Sequence, residues 1–400
     1  MHKNISIIGA GIAGCSLAHF LAKTGWKVRL IESQNAIAQG GSGNPAAAIY
    51  PKFMVNDKTY NEFMLKSFTF TSRWINDLGL NQKDYALNGA IEILEKDYAD
   101  KLAVKLSKNF STKKNCFTKV DEVLLKKYTI QPKNKGLFFH QGGWVHPKAL
   151  CEHLIDHPHI EVITKQAIIS IEHKNADWIV KSSDYVEYKS HHVAICNAEH
   201  VHQFKSTQHL HTDAFRGQVN WVNQSTLTVP SIVTCEEGYL IPPMHKKHVF
   251  GATYAMNDFD KNLRLSDTKK NIASIKNIHN DFYQSCLKEK SIRGRVAWRA
   301  STKDRKPYVG RIFDEKRFNQ LRVRELAHAE NLPWLDNLYV ASGFGSRGFT
   351  FAPYCAFVLA NFLNHTLSKE DKATLNYTNP ERYRLKNMSL KKVASRIFEV

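Results

Sequence analysis

The stretch that decides the fold is Asn4-Ile5-Ser6-Ile7-Ile8-Gly9-Ala10-Gly11-Ile12-Ala13-Gly14, completed by Trp26-Lys27-Val28-Arg29-Leu30-Ile31-Glu32. Ile5–Ile8 is a short buried-strand run. Gly9, Gly11 and Gly14 form a GxGxxG turn. Cys15–Thr24 repeats apolar residues at helical spacing (Leu17, Ala18, Leu21, Ala22), Gly25 ends the helix, and Trp26–Ile31 alternates as a second strand. The first glycine permits the tight turn, the second lets backbone approach a pyrophosphate, and the third lets helix and strand pack closely. The helix start adds N–H groups and a positive dipole end. Glu32 stands where a carboxylate accepts hydrogen bonds from an adenosine ribose. Strand, turn, helix and acid occur in order, so the unit predicts dinucleotide binding.

Two further glycine-rich segments turn this toward FAD rather than NAD. One is the Gly40-Gly41-Ser42-Gly43-Asn44 loop, which follows the first unit directly. The other is Gly343-Phe344-Gly345-Ser346-Arg347-Gly348, between the strand Leu338–Ser342 and a helix over Ala352–Asn364. Glycine turns at opposite ends of the chain suit a long cofactor whose far ring is held by the last element.

Between these ends the periodicity predicts helices over Thr59–Leu78 and from Pro147 to Ile155, and a lysine-rich helix among short strands in residues 85–140. Strands are expected at Val162–Thr164, Ala167–Ile171, Trp178–Val180, His192–Ala198, Gln218–Val222 and Gly238–Ile241. No repeat or low-complexity linker is seen.

The 400 residues carry 56 Lys+Arg against 37 Asp+Glu, a net +19. Hydrophobic residues make up 43%, enough for a sizeable core, so general disorder is excluded. The longest nearly apolar run, Phe351–Leu363, is too short for a membrane span, and the first residues do not read as a secretory signal. Seven scattered cysteines give neither a zinc pattern nor a disulfide framework and suit a reducing cytoplasm. The histidines, among them His146 and the His191-His192 pair, lack ligand spacing, so no metal is expected. The positive surplus avoids residues 151–250 and gathers in Lys101–Lys135 and from 251 onward. It reads either as a lysine bias or as attraction to a polyanion.

These blocks resemble the D-amino-acid-oxidase-like flavoproteins, which include glycine oxidase. The likeness runs from Ile5 to about Asn364. Within that superfamily, Ser42-Gly43-Asn44-Pro45-Ala46 leading to Tyr50-Pro51, Gly142-Gly143-Trp144-Val145 with Pro147, and Gly345-Ser346-Arg347-Gly348 are most similar to the oxidoreductase half of the MnmC family of tRNA wobble-uridine modification enzymes. That family usually carries a preceding methyltransferase domain; with the fingerprint starting at residue 7, the expectation here is the oxidase half alone.

The resemblance implies an α/β (α+β) fold: a Rossmann-like FAD domain (1–85, 140–212 and 300–372) interleaved with a mostly antiparallel substrate domain (86–139 and 213–299), then a basic tail (373–400). It implies oxidative removal of the carboxymethyl group from carboxymethylaminomethyl-uridine, releasing glyoxylate. The partners are then tRNA and a separate methyltransferase acting in trans, in the cytoplasm and without a membrane. Arg299 matches the carboxylate-binding arginine of glycine oxidase, and Tyr239 a substrate-facing tyrosine. Arg347 faces either the substrate or the flavin, and Tyr50 either lines the pocket or packs. Gly9, Gly11, Gly14, Glu32, Ser42, Gly43, Asn44, Ala46, Gly343, Gly345, Ser346, Arg347 and Gly348 are expected to contact FAD. Two other readings stay open: an oxidase or dehydrogenase of free glycine, sarcosine or a D-amino acid, and a flavin-containing RNA-binding scaffold with a dead site. A tRNA enzyme would gather Lys101–Lys135, Lys246-Lys247, Arg293–Arg295 and Arg382–Arg396 around the flavin entrance.

Overall fold

The computed structural model describes residues 3–110, 116–130, 135–223, 229–326, 331–388, 390 and 393. Among them, a six-stranded sheet runs in the order Tyr308–Phe313, Trp334–Ser342, His192–Ile195, Asn4–Ile8, Lys27–Ile31, Ile160–Ile163. All neighbours are parallel except the first pair. Asn4–Ile8 sits inside this sheet, and Ile5 to Ile8 are all buried, as a strand covered on both faces requires. The helix behind the turn, Ile12–Ala22, is apolar nearly all round because the helices Gly348–Leu363 and Pro147–Ile155 pack against it.

The second layer is a mostly antiparallel sheet in the order Ala255–Met256, Asp213–Asn223, Lys247–Gly251, Tyr239–Leu240, Val233–Cys235, Ala90–Leu94, Lys135–Phe139, Phe117–Lys119, with Arg293–Ser301 paired along Asp213–Asn223. Val233–Cys235 and Ala90–Leu94 run parallel. The register sets one row of side chains on one face: Leu137, Glu92, Cys235, Tyr239, Val219 and Arg295. Two and four residues along from Arg295, Ala297 and Arg299 share that face. The opposite face is covered by the helix Leu265–Ala273, whose Asn271 donates to Gln218 O and Asn220 Oδ1, both at 2.8 Å.

The predicted helices are present with small shifts. Thr59–Leu78 is Lys58–Asp77, opened by Asp57, whose carboxylate accepts the Tyr60 N–H. The helix expected from Ala352 begins at Gly348 instead, so Pro353 lies within it rather than at its start: the glycine turn itself is the helix opening. The helices Leu265–Ala273 and Asn280–Lys288 and the long strand Arg293–Ser301 were not singled out in the sequence. Their apolar positions are few, and much of their anchoring is polar.

The last stretch is partly built into the body. Arg382 is 2% exposed and donates from Nε and Nη2 to the two Asp304 oxygens at 2.9 and 2.7 Å. Arg384 bonds Glu315. Neither is available to an RNA phosphate, which corrects the expectation for these two members of the basic set. Lys113, Lys114, Lys133 and Arg396 lie outside the described residues. Among the described residues no helix is long and apolar enough to cross a membrane.

Candidate active site

The first glycine turn is shaped by contact. Gly9 has φ +103°, and a Cβ there would stand 2.6 Å from Cys196 O; a Cβ on Gly14 would stand 2.0 Å from Gly9 O. Both obstacles are backbone and cannot swing away, so these positions exclude side chains. The helix start has Gly11 as its N-cap with no side-chain hydrogen bond and no acid in its first turn. Its first N–H, on Ile12, donates to Ser42 Oγ at 3.0 Å, which joins the Gly40–Asn44 loop to the helix opening. Glu32 accepts from Ala10 N–H at 2.8 Å through Oε2 and from Gln34 N–H at 2.9 Å through Oε1. The main chain thus fixes it at the end of its strand. Ala46 is 2% exposed and packs in the core beneath this loop.

The second glycine turn follows the neighbouring strand Trp334–Ser342. Phe344 bridges Ser301, the short 3-10 turn Gly345–Arg347 follows, and the helix Gly348–Leu363 opens without a side-chain cap or an acid in its first turn. Two helix starts without an acid in the first turn therefore stand at the ends of strands of one mostly parallel sheet, where a diphosphate and an anionic ring find a positive dipole end. Gly343 meets Thr302, Gly345 meets Ser301, Gly348 packs near Ile12, and Ser346 is exposed. A cradle that a Cβ would fill, at the openings of two helices with no acid in their first turns, fits FAD by its shape and charge.

The adjoining face of the antiparallel sheet is built from side chains. Arg299 reaches across Gly217 to donate to Thr253 O at 3.2 Å and lies 5.9 Å from the Tyr254 ring centroid. A Cβ at 217 would meet its Nη1 at 2.1 Å. Burial lowers the Arg299 pKa, nearby Tyr239 and Tyr254 oppose that, and Arg347 adds to it. Burial pushes the Tyr239 phenol up to about 12 against the pull of Arg299. Arg347 stacks 4.2 Å over the Tyr50 ring and donates to Tyr50 Oη at 3.0 Å. Burial works against its charge, but Tyr50, Tyr60 and Glu92 outweigh that and hold its pKa up. Tyr239, Arg299 and Arg347, drawn from three distant segments, thus come together on one side of the sheet, with Tyr50 as part of the wall.

Sequence reasoning missed Glu92. It is 3% exposed, its Oε1 lies 3.6 Å from Lys52 Nζ, and its Oε2 has no hydrogen-bond partner among the described residues. Burial raises its pKa although Lys52 and Arg347 pull it down. The signal was present: Ala90-Ile91-Glu92-Ile93-Leu94 puts one acid in the middle of a buried strand. Cys235 beside it is fully buried, its thiol pushed up to about 12 by burial. Arg295, expected on a phosphate track, instead enters the Gly40–Asn44 loop. No cluster of three metal-ligating side chains occurs among the described residues.

Residues 4–362 match the DAO family, described as FAD dependent oxidoreductase. The chain is 30% identical over 398 residues to the tRNA 5-methylaminomethyl-2-thiouridine biosynthesis bifunctional protein MnmC of Pseudomonas syringae pv. syringae, covering 96% of this chain and 59% of that one. To the protein of the same name from Methylobacillus flagellatus it is 28% identical, over 97% and 60%. The chain therefore spans about three fifths of the length of these curated relatives. Among solved structures, glycine oxidase from Geobacillus kaustophilus superposes with a TM-score of 0.73 at 14% identity, covering 92% of this chain and 96% of that one. L-proline dehydrogenase from P. horikoshii gives 0.75 at 16%, over 96% and 98%. These two share the fold. With a match that runs from the first strand through the helix after the last glycine turn, the chain belongs to the DAO family of FAD-dependent oxidoreductases.

Proposed function

We propose that the chain oxidises the CH–NH bond of an N-substituted glycine, and that this glycine is the carboxymethylaminomethyl group of a tRNA wobble uridine. Oxidation gives an imine, and its hydrolysis by water gives aminomethyl-uridine and glyoxylate. The observation that carries the chemistry is the pair of guanidinium groups, Arg299 and Arg347, gathered on one side of the sheet beside Tyr239 and Tyr50. Neither has an Asp or Glu within ion-pairing distance among the described residues. Two guanidinium groups with no direct ion pair, and with Glu92 as the acid whose charge reaches Arg347, favour an anionic ligand, and a guanidinium fork matches a carboxylate.

In this reading Arg299 holds the substrate carboxylate. Tyr239, protonated at neutral pH, donates a hydrogen bond to it. Arg347, fixed by Tyr50, forms the wall toward the cofactor. The residues Gly9, Gly11, Gly14, Glu32, Ser42, Gly43, Asn44, Ala46, Gly343, Gly345, Ser346 and Gly348 hold FAD. When bound, FAD supplies the oxidising power by accepting hydride from the glycyl carbon. The protein's part is to fix the carboxylate so that the glycyl C–H has one orientation.

The tRNA part of the proposal rests on the P. syringae relative, whose name refers to tRNA 5-methylaminomethyl-2-thiouridine biosynthesis and which aligns over 96% of this chain. The exposed cation Arg305, whose charge reaches Tyr60 and Tyr254, is consistent with an approaching phosphate backbone. A methyltransferase acting in trans on the aminomethyl product completes the proposed pathway step.

The test is anaerobic mixing of the yellow holoprotein with tRNA bearing carboxymethylaminomethyl-uridine, and separately with glycine, sarcosine and D-alanine. Bleaching by the tRNA supports the proposal. Bleaching by a free amino acid alone replaces it with the small-molecule oxidase reading, and bleaching by none favours the scaffold.

A further inference from the structure

The strand Arg293–Ser301 places Arg293, Arg295 and Arg299 on one face, and the last two, four residues apart, do different work. Arg299 belongs to the substrate pocket. Arg295 leaves the antiparallel sheet and enters the loop at the edge of the cofactor cradle. Its Nη1 donates to Asn44 Oδ1 at 3.0 Å, and its Nη2 donates to Gly40 O at 2.7 Å and to Gln39 O. Gly43 makes room for it: a Cβ there would stand 2.7 Å from Arg295 Nη2. The same loop carries Ser42, whose Oγ accepts the first N–H of the helix Ile12–Ala22 at 3.0 Å. No carboxylate lies within ion-pairing distance of Arg295 among the described residues, so its binding capacity is spent on this loop.

We propose that Arg295 is a cofactor-positioning residue, a fork that holds Gln39–Asn44 in the shape that sets Ser42 against the helix start and keeps the FAD site open. A guanidinium suits the task because its donors are fixed in a plane and reach acceptors on both sides of the loop at once. An ammonium on a flexible stem satisfies one of them. The arrangement also ties the cofactor loop to the strand that carries the substrate clamp, so one strand orders both halves of the site.

The experiment titrates FAD-free protein with FAD and reads the dissociation constant from the quenching of flavin fluorescence. Arg295→Met is expected to weaken FAD about 30-fold, as the loss of charge-assisted hydrogen bonds predicts. Arg295→Lys should recover less than half of that loss on a logarithmic scale. Arg293→Met, the exposed neighbour on the same strand, should leave the constant within about two-fold. A double-mutant cycle separates positioning from general damage: Asn44→Ala alone weakens FAD, but adds little once Arg295 is gone. Additive losses from Arg295→Met and Asn44→Ala, full rescue by lysine, or an equal loss from Arg293→Met would each overturn the proposal. If Arg295→Met does not fold, Arg295→Lys and its cycle with Asn44→Ala decide the matter on the same criteria. An unchanged constant in Asn44→Ala sinks it as well.

Discussion

The cofactor cradle and the substrate pocket lie on adjoining sheets and are made in opposite ways. The cradle is backbone: a run of 29 residues from Asn4 to Glu32 folds back on itself, and its form comes from atoms that are absent, the Cβ groups of Gly9 and Gly14. The proposed pocket is side chain: Tyr50, Glu92, Cys235, Tyr239, Arg299 and Arg347 come from separate segments, with Glu92, Cys235 and Tyr239 aligned by sheet register and Tyr50 and Arg347 joining from outside that sheet. The first kind of site fails by collision and the second by imbalance of charge. The two should therefore break with different signatures.

Gly14→Val should give the largest effect. The new side chain would meet Gly9 O, a backbone atom at 2.0 Å from the Cβ position. The strand and helix must separate, at a cost of about 3 kcal/mol, and the purified protein should carry almost no FAD. Flavin content and a denaturant titration measure both. A Gly14→Val protein that keeps its yellow colour and its denaturation midpoint would show that the cradle is not held by close approach.

Arg299→Met sharpens the contrast from the other side. Flavin content should stay normal while kcat/KM for the amine substrate falls about 100-fold, the scale of losing a hydrogen-bonded charge partner. Stopped-flow reduction of the bound flavin reads this directly. Loss of flavin along with activity would mean that Arg299 supports the cradle and that the two regions are not separable.

This division also explains what could be read from the chain alone. The GxGxxG unit and the second glycine turn were legible because their rules are local: a glycine at a fixed offset reports a backbone constraint wherever it occurs. The roles proposed for Arg299 and Tyr239 rest on resemblance, since no local pattern relates position 299 to position 239. Glu92 and Arg295 escaped because their meaning is set across strands. Glu92 looks like an ordinary strand acid until Cys235 is found beside it, and Arg295 looks like one more cation on a basic chain until it is found inside a loop 250 residues away. Two cations of the tail were read as available for the same reason: Arg382 and Arg384 add to the count, yet they are tied up in ion pairs.

Glu92→Gln tests whether charge balance governs the pocket. Burial raises the Glu92 pKa above the model-peptide value of 4.5, with Lys52 and Arg347 pulling the other way and losing. A carboxyl whose folded pKa is raised binds its proton more tightly in the folded state, so its ionisation costs stability as pH climbs upward from about 4.5. The glutamine variant has no such cost. Its stability relative to the parent should therefore improve between pH 4 and pH 7, a direction opposite to that of an ordinary stabilising carboxylate. Denaturant midpoints at a series of pH values give the comparison. A variant that loses ground with rising pH would show that the Lys52 pair outweighs burial.

The smallest effect concerns the mouth of the pocket, where neither collision nor burial operates. Arg305 is exposed, and its charge reaches both Tyr60 and Tyr254, the tyrosine whose ring Arg299 approaches. If tRNA enters there, Arg305 meets a phosphate. Its removal should then weaken tRNA binding only a few-fold at moderate salt and lower the slope of log K against log salt by about 1. The flavin spectrum and the reduction rate at saturating substrate should not change, because the residue belongs to neither region. Binding isotherms of Arg305→Ala and the parent across a salt series make the distinction. An unchanged slope would move the RNA path away from this entrance, toward the exposed lysines Lys101, Lys105 and Lys108 of the helix Lys96–Asn109. Their alanine variants would then carry the missing unit of slope.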